Sequence, residues 1–495
     1  MAERSGETRS WLFHALTYDR TVNLRLYDTG TRSVRDFVPR RPGKVGIYLC
    51  GLTLQGAPHI GHLRSGVNFD VLIAWLRHKG LDVTYVRNVT DIEDKVLAKA
   101  EDQNRPWWAI SYENERQLAA DYAALGVRPP TYEPRATGHI PQMLDLIARL
   151  IDRGHAYVAD NGDVYFRVTS FSEYGALSHR KLEDMLTADD GDDSAKEDPR
   201  DFALWKAASP NDPEDSTWNT PYSRGRPGWH IECSAMIWRY LGDSFDIHGG
   251  GTDIMFPHHE NEIAQSKAAG LGFTNFWVHN NMLNFSGTKM SKSLGNVLSV
   301  SALGELGFRP VEIRYYLLTP HYRSAFDYTP QALGESASAY QRLENFVTRA
   351  VERFGDEATR HGELAPEFEA ALDDDLGTPA AVAVIHDVAR NGNAALDSGD
   401  ADEAREAAKS VRAMLSLLNL DPQSEQWRSD QSDDLTPVVD ALVSLVLEQR
   451  QLARERKDWA TADAIRDQLK AAGLAIEDTP AGARWSIDKE QSNGG

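Results

Sequence analysis

Two residues four apart, His258 and Glu262, carry the first chemical suggestion in this 495-residue chain. They sit in Pro257-His258-His259-Glu260-Asn261-Glu262, shortly after the strand-like, glycine-broken run Phe245-Asp246-Ile247-His248-Gly249-Gly250-Gly251. On a helix, positions i and i+4 project from one face. An imidazole nitrogen and a carboxylate oxygen on one face invite a metal ion, if thiolates complete the shell. The chain holds only two cysteines, Cys50 and Cys233. Whether both come to this place is left to the fold.

Two further motifs suit phosphate. His59-Ile60-Gly61-His62 lies where a strand and loop meet a helix. Histidines at i and i+3 share a face, and a helix N-terminus offers unpaired N–H groups and a positive dipole end. Two surface histidines at a helix start would look the same. Lys289-Met290-Ser291-Lys292-Ser293 places two of the chain's 14 lysines in one pentapeptide, between Gly287 and Gly295. A glycine-hinged loop with paired lysines can clamp phosphates and neutralise developing charge. A solvated loop is the plain alternative.

The elements that must position these residues can be read from the apolar pattern. Val45-Gly46-Ile47-Tyr48-Leu49-Cys50 reads as a buried strand, the stretch from His59 to about Lys79 as a helix ended by Gly80, and Val83-Thr84-Tyr85-Val86-Arg87 as a second strand. Strand, glycine loop, helix and strand make a βαβ unit, which favours a parallel sheet with ligands at the carboxyl ends of its strands. Val22 to Tyr27 alternates like an edge strand, and a hairpin is expected around Asn161-Gly162. The sheet is expected to resume near Trp229 and to continue through residues 245–248 and 276–279. Beyond residue 330 the spacing turns helical.

Composition bounds the rest. No run approaches the 18 or more apolar residues of a membrane span, and the start shows no signal-peptide core. Two cysteines cannot build a secreted disulfide framework, so a reducing cytoplasm is expected. The net charge is −21, from 74 acids and 53 bases. That balance argues against nucleic acid on a simple reading, or marks an acidic, halophilic surface suited to high salt, and so leaves the partner open. The densest acidic block, residues 183–198, reads as a solvated loop.

Taken together and in this order, the HIGH and KMSKS motifs resemble the two signatures of class I aminoacyl-tRNA synthetases. Tyr48-Leu49-Cys50-Gly51-Leu52-Thr53, Asn88-Val89-Thr90-Asp91-Ile92-Glu93-Asp94-Lys95, Gly228-Trp229-His230-Ile231-Glu232-Cys233-Ser234-Ala235-Met236, residues 245–262 and Lys457-Asp458-Trp459-Ala460-Thr461-Ala462-Asp463 resemble the cysteinyl-tRNA synthetase family. Gln55 stands where that family often has tyrosine, and the acidic insertion near residue 190 is unusual for it.

The resemblance implies an α/β fold: a Rossmann-like parallel-sheet catalytic domain split by an insertion, then an α-helical C-terminal region with a small terminal module. The expected divisions are an N-terminal extension 1–40, catalytic halves 41–130 and 221–330, an insertion 131–220, a helical bundle 331–425 and a tRNA anticodon-binding module 426–495. It implies one Zn2+ per chain held by Cys50, Cys233, His258 and Glu262, a donor set of the type that a borderline-soft ion takes. Cysteine and serine differ by one atom, and ligation of the thiolate separates them where pocket shape cannot. Gly51, Thr53, Thr90 and Trp229 are implied to hold L-cysteine, and His248, Gly249, Gly250, Gly251 and Asp253 to hold the adenosine. His59, His62, Lys289 and Lys292 are implied to stabilise the phosphates of ATP, which arrives with Mg2+. His230 and His259 are expected to orient the metal ligands. Partners are L-cysteine, ATP and tRNA(Cys), with no membrane and a monomer expected. Arg450, Arg454, Arg456, Lys457, Trp459, Arg466, Arg484 and Trp485 are expected to grip tRNA. Two rival readings are a related ligase joining cysteine to an amino sugar, which would lack residues 430–485, and a non-catalytic RNA-binding relative, which would have lost signature residues.

Overall fold

The computed structural model describes residues 23–185, 193–285, 288–289, 298–360, 362–428, 436–472, 474–479 and 482–487. Four strands rich in β-branched and aromatic residues build a parallel sheet, in the spatial order Thr274–Asn280, Phe245–Gly251, Lys44–Leu49 and Asp82–Arg87. The chain therefore runs outward from the Lys44–Leu49 strand in one direction and resumes on its other side. At such a reversal the carboxyl ends of neighbouring strands open a crevice. Cys50 follows the first strand directly, Asn88 follows the second, and Gly251 and Asn280 end the other two.

The Ile60–His78 helix connects the first two strands, and its residues are buried nearly all round, as in a core helix. Two of its buried residues are charged. Asp70 accepts from Arg314 at 2.6 Å and also pairs with Arg128, tying this helix to the Pro310–Leu318 helix.

Between the halves of the parallel sheet stands a five-stranded antiparallel sheet, ordered Ala156–Val158, Val164–Phe166, Phe202–Ala207, Arg224–Pro227 and Trp218–Asn219. Its first two strands are the expected hairpin around Asn161-Gly162. Residues 186–192, inside the acidic block, lie outside the described residues. Trp229 does not resume the sheet: Pro227-Gly228 ends a strand, and Trp229–Leu241 is a helix. Near the N-terminus, Arg25–Asp28 pairs with Ser33–Asp36 in a separate two-stranded sheet, so the alternating stretch becomes a hairpin.

After the parallel sheet, Leu283–Phe285 pairs antiparallel with Thr288–Lys289 and parallel with Phe326–Tyr328. The helices Pro330–Phe354, Pro366–Asp373, Thr378–Ser398 and Ala401–Leu417 follow. Residues 1–422 form one compact unit and 423–495 a second. The second contains the helices Thr436–Glu455 and Trp459–Ala471 and the hairpin Leu474–Thr479 with Gly482–Ile487. Among the described residues no helix is long and apolar enough to cross a membrane.

Candidate metal centre and adenylate pocket

The two cysteines meet. Cys50, at the end of the first strand, places its sulfur 3.7 Å from that of Cys233, which the Trp229–Leu241 helix carries. Cys50 Sγ also lies 3.4 Å from Glu262 Oε1, and His258 Nε2 lies 3.1 Å from the same oxygen. His258 occupies an irregular turn, Met255–His259, and Glu262 the following Glu260–Ala268 helix. The i, i+4 spacing thus works across a turn–helix junction. One donor atom from each of the four residues lies within 4.8 Å of the others, and Cys233, His258 and Glu262 are buried.

These separations fit tetrahedral zinc. Two sulfurs at about 2.3 Å from a common ion stand about 3.8 Å apart, and a nitrogen and an oxygen at about 2.0–2.1 Å stand about 3.3 Å apart. The observed 3.7 and 3.1 Å match these within a few tenths of an ångström.

Neighbours orient the donors. His230 Nδ1 meets His258 Nδ1 at 3.0 Å, which leaves His258 Nε2 to face the thiols and Glu262. His248 Nε2 lies 2.8 Å from Glu262 Oε2, so Oε1 is the oxygen turned to the cysteines. His259 instead contacts His279, at 2.8 Å. Burial lowers His230, His259 and His279 well below the ordinary imidazole range, the last to about 3. Burial raises the Glu262 carboxyl, but His248 and His258 outweigh it and bring Glu262 to about 2. Burial raises Cys233 too, yet the hydrogen bond with Cys50 and the charge of His258 bring it to about 6, while burial and the same hydrogen bond push Cys50 well up. Burial lowers His258, but the Cys233 thiolate and Glu262 raise it to about 10.

A cavity of about 570 Å³ opens over this centre. Cys50, Cys233, His258 and Trp229 line it at the sulfur end, with Gly51, Thr53 and Thr90 beside them; His59, His62, Gly251 and Asp253 also line it. Trp229 packs 4.3 Å from the His258 ring, centroid to centroid. A Cβ on Gly51 would come within 1.8 Å of the Asn88 carbonyl oxygen, and Asn88 Oδ1 accepts the Gly51 N–H at 2.8 Å. The same Asn88 donates to Thr90 Oγ1 at 3.1 Å, so one side chain fixes both residues. The His59 and His62 rings stack with centroids 3.4 Å apart at the start of the Ile60–His78 helix.

Three residues expected at the adenosine are not among those lining the cavity. His248 is fully buried behind Glu262 and does not line the cavity. Gly249 and Gly250 are shaped by packing: a Cβ on the first would meet the Phe69 ring at 2.0 Å, and on the second the His259 ring at 2.6 Å. Lys289 ends the short Thr288–Lys289 strand, and Lys292 lies outside the described residues. In the second unit Trp459 is 59% exposed, whereas Arg450 is buried.

Motif reading passed over several residues that the structure brings to this site. Asn88 sat unremarked inside a quoted motif. Lys95 lies with its ammonium 5.5 Å from the Trp229 ring centroid. Arg64 lines the cavity though nearly buried.

A family model described as "tRNA synthetases class I (C) catalytic domain" matches residues 36–338. The cysteine--tRNA ligase of Streptomyces avermitilis is 56% identical over 468 residues, covering 94% of this chain and 99% of the relative. The chain belongs to the cysteinyl-tRNA synthetase family. The Cutibacterium acnes cysteine--tRNA ligase is 52% identical over 94% of this chain and 97% of its own length. A "DALR domain" model matches residues 367–420, and a "Cysteinyl-tRNA ligase anticodon binding domain" model residues 432–485. The last is the segment that an amino-sugar ligase of the family would lack. Among solved structures, Mycobacterium tuberculosis methionyl-tRNA synthetase in complex with methionyl-adenylate superposes with a TM-score of 0.55 at 15% identity, over 76% of this chain and 90% of that one, and so shares the class I synthetase fold.

Proposed function

We propose that the protein activates L-cysteine with ATP and transfers it to the 3′ end of tRNA(Cys), with Zn2+ selecting the substrate sulfur. The convergence of Cys50, Cys233, His258 and Glu262 at one end of a cavity whose lining also includes the paired signature histidines carries this reading. Cys50, Cys233, His258 Nε2 and Glu262 Oε1 would hold the zinc. When bound, zinc favours a thiolate over a neutral hydroxyl and lowers the pKa of a thiol that it ligates.

The chain's own groups do the rest. Asn88 braces Gly51 and Thr90 to hold the amino and carboxylate ends of cysteine, and Trp229 walls the sulfur end against water. The cysteine carboxylate oxygen attacks the α-phosphorus of ATP, the bond to the β-phosphate breaks, and pyrophosphate leaves. His59 and His62 donate to phosphate oxygens, while Lys289 and Lys292 neutralise the charge that gathers on the leaving group. Asp253 and the backbone at Gly251 accommodate the adenosine. The ribose hydroxyl of the tRNA 3′ adenosine then attacks the mixed anhydride and AMP departs. Mg2+ accompanies ATP, residues 426–495 engage the tRNA, and the protein acts as a cytoplasmic monomer.

Charging total tRNA with each labelled amino acid in turn tests this. Cysteine alone should reach acid-precipitable RNA. Equal charging with serine, or none with cysteine, would refute it.

A further inference from the structure

Arg64 stands in the second turn of the Ile60–His78 helix, two residues beyond His62, and is 1% exposed. A buried guanidinium ordinarily faces a carboxylate. Among the described residues none pairs with this one. Its NH1 donates to the carbonyls of Asn281 at 2.6 Å and Met282 at 3.4 Å, and its NH2 to those of His321 and Ser324, each at 2.9 Å. The guanidinium also lies 4.6 Å from the centroid of the Phe326 ring. Burial lowers its pKa to about 10, so it stays charged at neutral pH.

Those four carbonyls belong to two segments with one destination. Asn281 and Met282 lead into Leu283–Phe285, His321 and Ser324 lead towards Phe326–Tyr328, and the two strands pair in parallel with Leu283 opposite Phe326. Leu283–Phe285 then pairs with Thr288–Lys289, placing Asn284 opposite Lys289. On the far side of the second signature, the Ile60 N–H donates to the Leu298 carbonyl at 2.9 Å. The helix whose start bears His59 and His62 is therefore bonded to the backbone stems on both sides of residues 290–297.

We propose that Arg64 is a positioning residue for the phosphate chemistry, setting the separation between the His59–His62 pair and the strand stem that ends in Lys289. This rests on the adenylate-forming reading above. A planar fork with five donors can bridge two segments at once, whereas a lysine ammonium is a single, shorter-reaching point. Charge alone is therefore insufficient, and the geometry of the guanidinium is what the site uses.

The test compares Arg64→Ala and Arg64→Lys in the full-length, zinc-loaded protein, by metal content, binding of labelled cysteine, and cysteine-dependent ATP–pyrophosphate exchange. Both variants should keep one zinc and bind cysteine as the unsubstituted protein does. Both should lose about 100-fold in the kcat of exchange, the scale of a misplacement of about 1 Å, with the KM for ATP changing far less. Guanidinium at tens of millimolar should restore roughly tenfold to Arg64→Ala and nothing to Arg64→Lys, by the same reasoning about fork geometry. Turnover of Arg64→Lys within about threefold of the unsubstituted protein would overturn the proposal. So would parallel loss of zinc and cysteine binding, or failure of guanidinium to rescue Arg64→Ala. Should Arg64→Ala not fold, Arg64→Lys decides alone, through the same contrast between exchange and cysteine binding. Absence of cysteine-dependent exchange in the unsubstituted protein would overturn the adenylate reading and this role with it.

Discussion

Reloading the stripped metal centre should expel about two protons per zinc at pH 7. In the metal-free protein, burial and the hydrogen bond with Cys233 push the Cys50 thiol well up, so it keeps its proton. His258 holds the second: burial lowers it, but the Cys233 thiolate and Glu262 raise it to about 10. Cys233 at about 6 and Glu262 at about 2 are already ionised. Zinc takes thiolates and a neutral imidazole, so both protons must leave as it enters. The sign follows directly. Protons compete with the metal, so the apparent affinity rises about 100-fold per pH unit from 7 to 9 and falls more steeply below 6, where Cys233 is also protonated. The assay is calorimetric titration of the chelator-stripped protein in two buffers of different ionisation enthalpy. The dependence of the observed heat on that enthalpy counts the protons. Below about pH 6, where Cys233 also holds a proton, the count should rise towards about three. A count near zero at pH 7 would refute the assignment of Cys50 and His258 as ligands.

Replacing Cys233 by Ser should lower zinc affinity by at least about 100-fold and abolish cysteine activation; stoichiometric metal with normal exchange would exclude it as a ligand. Lys292→Ala should cut pyrophosphate exchange by about 100- to 1,000-fold while leaving zinc content unchanged, so an unaltered exchange rate contradicts its role on the phosphates. Asp70→Asn removes the negative charge that faces the fully buried Arg314 guanidinium at 2.6 Å. Stranding such a charge costs about 3–5 kcal/mol, read from the denaturant midpoint, and a change below about 1 kcal/mol would show that the Leu125 and Leu418 carbonyls, which accept from the same guanidinium, hold it without the carboxylate.

What was legible in the sequence divides along a physical line. The types and local spacings of the donors, the histidine pair at a helix start and the strand–helix–strand unit all follow from periodicity and turn chemistry within short windows. Cys50 and Cys233 are 183 residues apart. The adjacency of the Phe245–Gly251 and Lys44–Leu49 strands helps bring the second half of the chain back to the first, and no local pattern encodes that pairing. The same limit explains the misplacements. A short apolar run at Trp229-His230-Ile231 is equally consistent with a buried strand or a buried helix, and the capping Gly228 decides for the helix. Gly249 and Gly250 do need the absence of a Cβ, and atoms that demand it belong to Phe69 and His259. The resemblance implied an adenosine contact for His248, and its Nε2 meets Glu262 on the next helix. In each case the residue type was correctly marked as constrained and the source of the constraint lay on another element. A histidine or glycine that stands out in a sequence therefore says that something comes close to it. The neighbouring strand or helix decides whether that something is a substrate or the protein itself, and here it makes His248 a brace for Glu262 where the motif had suggested a nucleotide contact.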